Sequence, residues 1–239
     1  MTNNYRALEQ QLSLELGLTR RPVAIAFVEA PPAGISKFTG SVPSGCSFWR
    51  IASDGRVFFT VPGDHYNCAV GSYTHNMPLP PSRAGELEQT LGLMADVGYL
   101  RMEEVPGIPV LPTTPAVVVY APLGDTPIDP DVVIFMASAA SVMLLHEAAM
   151  AAGVAANFST LARPTCMAVP AALAGGMVIS SGCVGNRVYT DLGEGELYAA
   201  LPGTELPKLA DKAPAIAAAN ARLQEYHQAR REQLTFAPV

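Results

Sequence analysis

The chain has 239 residues, 49% of them hydrophobic and 15% charged, enough to bury a sizeable core without a disulfide staple. Its net charge of -6 and pI near 5.2 argue against a nucleic-acid partner, whose binding surface would concentrate Lys and Arg into a basic stripe. The longest apolar stretch, Val132 to Leu145, is broken by His146 and Glu147, well short of the ~20 residues of a membrane span. The first residues also lack the basic start and apolar run of a signal peptide. A cytoplasmic protein with no membrane partner is the expectation.

In chain order, Tyr5, Leu8, Leu12 and Leu16 recur at helical spacing and predict an amphipathic helix over Asn4 to Leu18, stopped at Arg21-Pro22. Val23 to Val28 is short, apolar and β-branched, and Pro31-Pro32 ends it as a buried strand. A short helix over Phe48 to Ala52 and a strand over Val57 to Val61 follow. The turn-rich run Pro62 to Gly71 carries Asp64, His65 and Cys68, and prolines 78, 80 and 81 close the region. Arg83 to Val97 reads as a helix, Val117 to Tyr120 and Val132 to Phe135 as strands, and Ala139 to Ala152 as a strong helix stopped at Gly153. A helix at Val169 to Leu173 and a strand at Met177 to Ile179 come next. The end of the chain reads as two helices, Glu194 to Ala200 and about Ile216 to Leu234. Alternating strands and helices predict one globular domain over 1–239, of α/β or α+β class, with a mixed sheet flanked by helices. Two degenerate halves, about 1–110 and 111–239, are conceivable, although the cysteine spacings within them, 22 and 17 residues, do not match.

Cys46, Cys68, Cys166 and Cys183 each fall in a segment dense in Gly, Pro, Ser, Asn or Thr, and none lies within an expected strand. A cysteine used as a small core hydrophobe normally sits in an apolar run. Gly45, Gly71, Gly182 and Gly185 would let backbone N–H groups approach the sulfurs, whose charge as thiolates peptide dipoles stabilise. No C-x-x-C pair is present, so neither a zinc ribbon nor a ferredoxin motif can be read, and the ligands would have to come from distant segments. Three readings stand at this point: metal or cluster ligation, buried structural thiols, and a reactive thiol or redox pair. Four thiolates suit tetrahedral zinc and a four-iron cluster alike.

Asp64 and His65 are candidates for proton donation beside such a centre, against the plainer reading of a turn cap and a surface histidine. His65 or His75 is an alternative to one of the cysteine ligands. Arg187, four residues after Cys183, is a candidate anchor for an anionic substrate or for cluster charge, and Arg50 beside Cys46 is another. Trp49 fits shielding or core packing. His146 with Glu147 reads as a packed or half-exposed helix pair, and His227 as part of a solvated helix face. No phosphate-binding glycine motif, G-x-S-x-G elbow or H-E-x-x-H helix occurs.

Several fragments, in order, resemble the archaeal and bacterial domain of unknown function family 169 (DUF169). They are Arg21-Pro22-Val23-Ala24-Ile25 after an opening helix, Cys46 with Trp49 and Ala52 ahead of an Asp-Gly turn, and Cys68-Ala69-Val70-Gly71. Pro130-Asp131-Val132-Val133-Ile134, the alanine-rich helix, Cys166, and Gly182-Cys183-Val184-Gly185-Asn186-Arg187 continue the likeness over most of the chain. The resemblance implies that cysteines recur at these four positions as a ligand set, which favours an iron–sulfur cluster (4Fe-4S) over zinc. The resulting expectation is a cytoplasmic iron–sulfur protein in electron transfer or reductive chemistry, partnered by a small-molecule substrate or a redox protein, and compatible with a homodimer. A zinc or small-ligand binding module without redox turnover is the alternative.

Overall fold

Strand residues that alternate between two covered faces set this architecture. In the computed structural model, which describes residues 4–157 and 164–234, the strands are β1 (Val23–Val28), β2 (Phe58–Thr60), β3 (Val117–Pro122), β4 (Val132–Ser138), β5 (Ala156–Asn157), β6 (Met177–Ser180) and β7 (Glu196–Pro202). They form one sheet in the order β2-β3-β1-β4-β7-β6-β5, antiparallel throughout except that two-residue β5 runs parallel to β6. The helices are α1 (Tyr5–Leu16), α2 (Cys46–Ser53), α3 (Ala69–Thr74), α4 (Glu86–Asp96), α5 (Ala139–Ala151), α6 (Ala168–Leu173), α7 (Val184–Thr190) and α8 (Leu206–Glu232). The expected mixed sheet flanked by helices is what the chain forms.

Both sheet faces are buried, so the central strands β1, β3, β4 and β7 are apolar at all positions except Ser138 and Glu196 at their ends. On one face Val23, Ile25, Tyr120, Ile134 and Tyr198 pack with Phe48, Trp49 and Val169 from the helices that carry the cysteines. On the other, Ala24, Val133, Phe135, Ala199 and Leu201 pack under α1, α5 and α8 through Leu12, Leu145 and Leu209. Among the described residues no helix is long and apolar enough to cross a membrane.

The sheet reads alike outward from the β1–β4 seam: β1, β3, β2 on one side and β4, β7, β6 on the other. The likeness extends to register. Val23 pairs with Pro122 and Val132 with Pro202, while Phe58 pairs with Tyr120 and Val178 with Ala200. Each proline ends its strand and leads into a 3-10 turn, Leu123–Asp125 or Gly203–Glu205. Leu123 N–H then donates to Pro22 O at 2.8 Å, and Gly203 N–H to Asp131 O at 2.8 Å. α2 packs on β1 and β3 as α6 packs on β4 and β7. These correspondences put the junction between the halves in residues 126–131, and two cysteines fall on each side of it.

Three expectations need correcting. Glu194 to Ala200 is not a helix but the start of β7, because a strand flanked by β4 and β6 and covered on both faces is selected by pairing rather than by the helix propensity of Leu and Ala. The last helix starts at Leu206, ten residues before Ile216. Pro207 lies in its first turn, where no N–H is required, and Pro214 is accommodated inside it. The segments read as turns around Cys68 and Cys183 continue at once into α3 and α7.

Candidate functional site

All four cysteines are free thiols, and all four line one cavity of about 490 Å³ between α2, α3, α4, α7 and the segment before α6. Each stands at the start of a helical element rather than in a loop. Cys46 is the first residue of α2, Cys68 caps α3, Cys166 lies in the 3-10 turn Thr165–Met167 that enters α6, and Cys183 caps α7. At a helix start the first N–H groups have no partner within the helix. Gly71 N–H accordingly donates to Cys68 Sγ at 3.3 Å.

The two halves interlock here. Cys166 Sγ donates to Val70 O of α3 at 3.9 Å, Ser47 Oγ donates to Tyr189 O of α7 at 3.5 Å, and α2 packs on α7. Within the second half, Cys183 N–H donates to Thr165 Oγ1 at 2.5 Å, fixing the Cys166 and Cys183 segments to each other.

Burial pushes the thiols of Cys46, Cys68 and Cys166 above the ordinary range, most of all Cys46 and Cys166, which have almost no water contact. The sulfurs also act on one another in all six pairings, so a thiolate at one position raises the cost of a thiolate at the next. The amide of Asn186 lies against Cys46, where it favours the thiolate, and donates from Nδ2 to Tyr198 Oη at 3.1 Å, while its Oδ1 is buried without a partner. Without a cation beside them the thiols of Cys46, Cys68 and Cys166 are therefore held protonated. Among the described residues no group of three or more His, Cys, Asp or Glu side chains is placed to hold a metal ion.

The three residues singled out for proton or anion work lie off the cavity. Asp64 Oδ2 accepts from Val61 N–H at 2.9 Å, and Oδ1 pairs with Lys37 at 3.2 Å. His65 is 3% exposed rather than at the surface. Its Nε2 shares a hydrogen bond with Thr60 Oγ1 at 2.8 Å, its ring stacks on His75 at 6.2 Å, and desolvation lowers its pKa to about 3. His75, equally buried and held at about 4, bonds through Nδ1 to Gly71 O at 3.1 Å. Neither histidine lines the cavity with the sulfurs. Arg187 donates to Ser181 O, Gly193 O and Glu196 O at 2.9, 3.1 and 3.2 Å, which clamps α7 onto the start of β7. Arg50 pairs with Asp54 at 3.2 Å. Trp49 is buried and meets Tyr198 edge-on at 5.4 Å.

The other wall of the cavity went unread in the sequence: Leu91 and Met94 of α4, with Leu100 and Ile108 beyond it. The only signal was the apolar stripe of α4, which a core helix would carry as well.

No curated protein matches the chain, and no solved structure does either. The family model of DUF169, described as an uncharacterised ArCR, matches residues 11–212, a span that takes in both halves of the sheet and all four cysteines. The chain belongs to the DUF169 family.

Proposed function

We propose that Cys46, Cys68, Cys166 and Cys183 ligate an iron–sulfur cluster of the four-iron class, and that the protein works in electron transfer or in reduction of a small molecule. The observation that carries this reading is the meeting of four thiols, two from each half of the fold, at one cavity. Once deprotonated, the sulfurs repel one another, and a bound cation would relieve that repulsion.

This reading prefers a cluster to zinc on ligand geometry. A single zinc ion with bonds of about 2.3 Å draws its four sulfurs to about 3.8 Å from one another. No three candidate ligands among the described residues are placed for one ion, whereas a cluster gives each thiolate its own iron and spreads the set. Helix starts and the Gly71 N–H supply donors to sulfur, as cluster sites require. Bound there, the cluster would supply one-electron chemistry. Asp64, His65 and Arg187 serve in this reading as positioning groups that hold the cysteine-bearing segments.

Anaerobic reconstitution followed by iron and acid-labile sulfide analysis tests it. About four iron and four sulfide per chain, with broad visible absorption, are expected, and each Cys→Ala variant should lose most of the iron while staying folded. A colourless protein after reconstitution, or stoichiometric zinc without sulfide, overturns it.

A further inference from the structure

The cysteines share their cavity with hydrocarbon: Leu91 and Met94 from α4, and Leu100 and Ile108 from the segment that follows, also line it. At about 490 Å³ the space falls in the range of small-molecule sites, about 300–1,000 Å³, which are mainly apolar with a few placed polar groups. Those polar groups are present in Ser44, Asn67 and Asn186, the last with its buried Oδ1 lacking a donor.

Among the described residues the only charged side chain in the lining is Glu86, whose carboxylate is taken by Arg83 at 2.6 and 2.7 Å. Among the described residues no Lys, Arg or His lines the space, so an anionic ligand would find no counter-charge in them, at heavy desolvation cost. The mouth is apolar too. Leu93 on α4, Val97 directly after it and Val184 on α7 line it while remaining 64%, 69% and 64% exposed.

We propose that this outer chamber binds an uncharged, mainly apolar small molecule carrying one hydrogen-bonding group, held against α4 with its polar end toward Asn186 and the sulfurs. The proposal rests on the cluster reading only in placing that molecule beside the cluster. The binding itself follows from the shape and chemistry of the chamber.

The test uses two probes with the same anilinonaphthalene ring system: neutral N-phenyl-1-naphthylamine and its sulfonated, anionic relative 8-anilinonaphthalene-1-sulfonate. Fluorescence titration is run on the metal-free and the reconstituted full chain. The neutral probe should saturate at one per chain in both forms and bind at least tenfold tighter than the anionic one. Met94→Trp, which fills the chamber, should weaken the neutral probe at least tenfold. Val97→Arg, at an exposed rim position where folding is not at stake, should narrow the neutral-over-anionic preference at least threefold. Absence of saturable binding, equal affinity for the two probes, or indifference to both substitutions overturns the proposal. Probe binding by a protein that takes up no iron sinks the cluster reading alone, and iron uptake without probe binding sinks the chamber alone.

Discussion

The buried histidine pair makes the metal-free protein sensitive to mild acid. In the folded chain His65 and His75 take up protons only near pH 3 and 4, whereas unfolded histidines do so near 6.5. Below pH 6.5 the unfolded chain therefore binds protons that the folded chain refuses, and stability falls as pH drops through the window from 6.5 to about 4. Each histidine loses about 1.4 kcal/mol per pH unit once well inside that window, so the pair together costs about 4 kcal/mol between pH 7.5 and 5. Against a typical total of about 5–15 kcal/mol that is a large share. Glu196 and Asp125, held by Arg20 and Arg21 below their ordinary values, contribute stability above pH 4.5 and lose it only at lower pH, so they leave this window to the histidines. Urea unfolding of the metal-free chain at pH 7.5, 6 and 5 measures the effect, and His65→Gln or His75→Gln should each remove about half of the slope. Stability that is flat from pH 7.5 to 5, or a slope untouched by both variants, refutes the assignment of these rings as neutral and dry.

Arg187→Ala leaves three carbonyls at the α7–β7 junction without their donor and should lower stability by about 2–4 kcal/mol in urea titration; if instead only turnover with an anionic substrate is lost, the guanidinium has a chemical role. Thr165→Val keeps the shape but removes the acceptor of Cys183 N–H, at a cost of about 1–2 kcal/mol, and should hasten iron release to a chelator from reconstituted protein. Gly203→Ala drives a methyl group into the carbonyl of Pro130 and should lower stability by about 2–4 kcal/mol, measured as a fall in Tm. Leu123, its counterpart in register, carries a side chain freely.

How much of this was legible beforehand depended on how local the cause was. β1 and α5 were readable almost to the residue because an apolar β-branched run bounded by Arg21-Pro22 and an alanine-rich run stopped at Gly153 carry their own signals. β7 was misread because Leu197, Ala199 and Leu201 face one buried layer and Tyr198 and Ala200 the other. Such a strand has no polar face and so no alternation to detect. α3 and α7 were missed because each is short, contains a glycine and is capped by cysteine, which is not among the usual N-cap residues. The meeting of the cysteines was suspected from their Gly- and Pro-bearing surroundings, but proximity between Val70 and Cys166, 96 residues apart, is a product of sheet order alone. The same holds for Arg187, whose three carbonyl partners become acceptors only once β7 is a strand.

The register likeness across β1 and β4 means that neither half owns a complete set of sulfurs: Cys46 and Cys68 arrive from one side, Cys166 and Cys183 from the other. A cation held by all four is then a clasp across a seam, and its binding free energy is spent on docking the halves as much as on any chemistry. Stripping it should leave each sheet half intact while amides of α2, α3 and α7 exchange faster than those of α1, α5 and α8 on the opposite face. A cofactor bound in this way would double as a sensor, since whatever oxidised or removed it would loosen the join on that side.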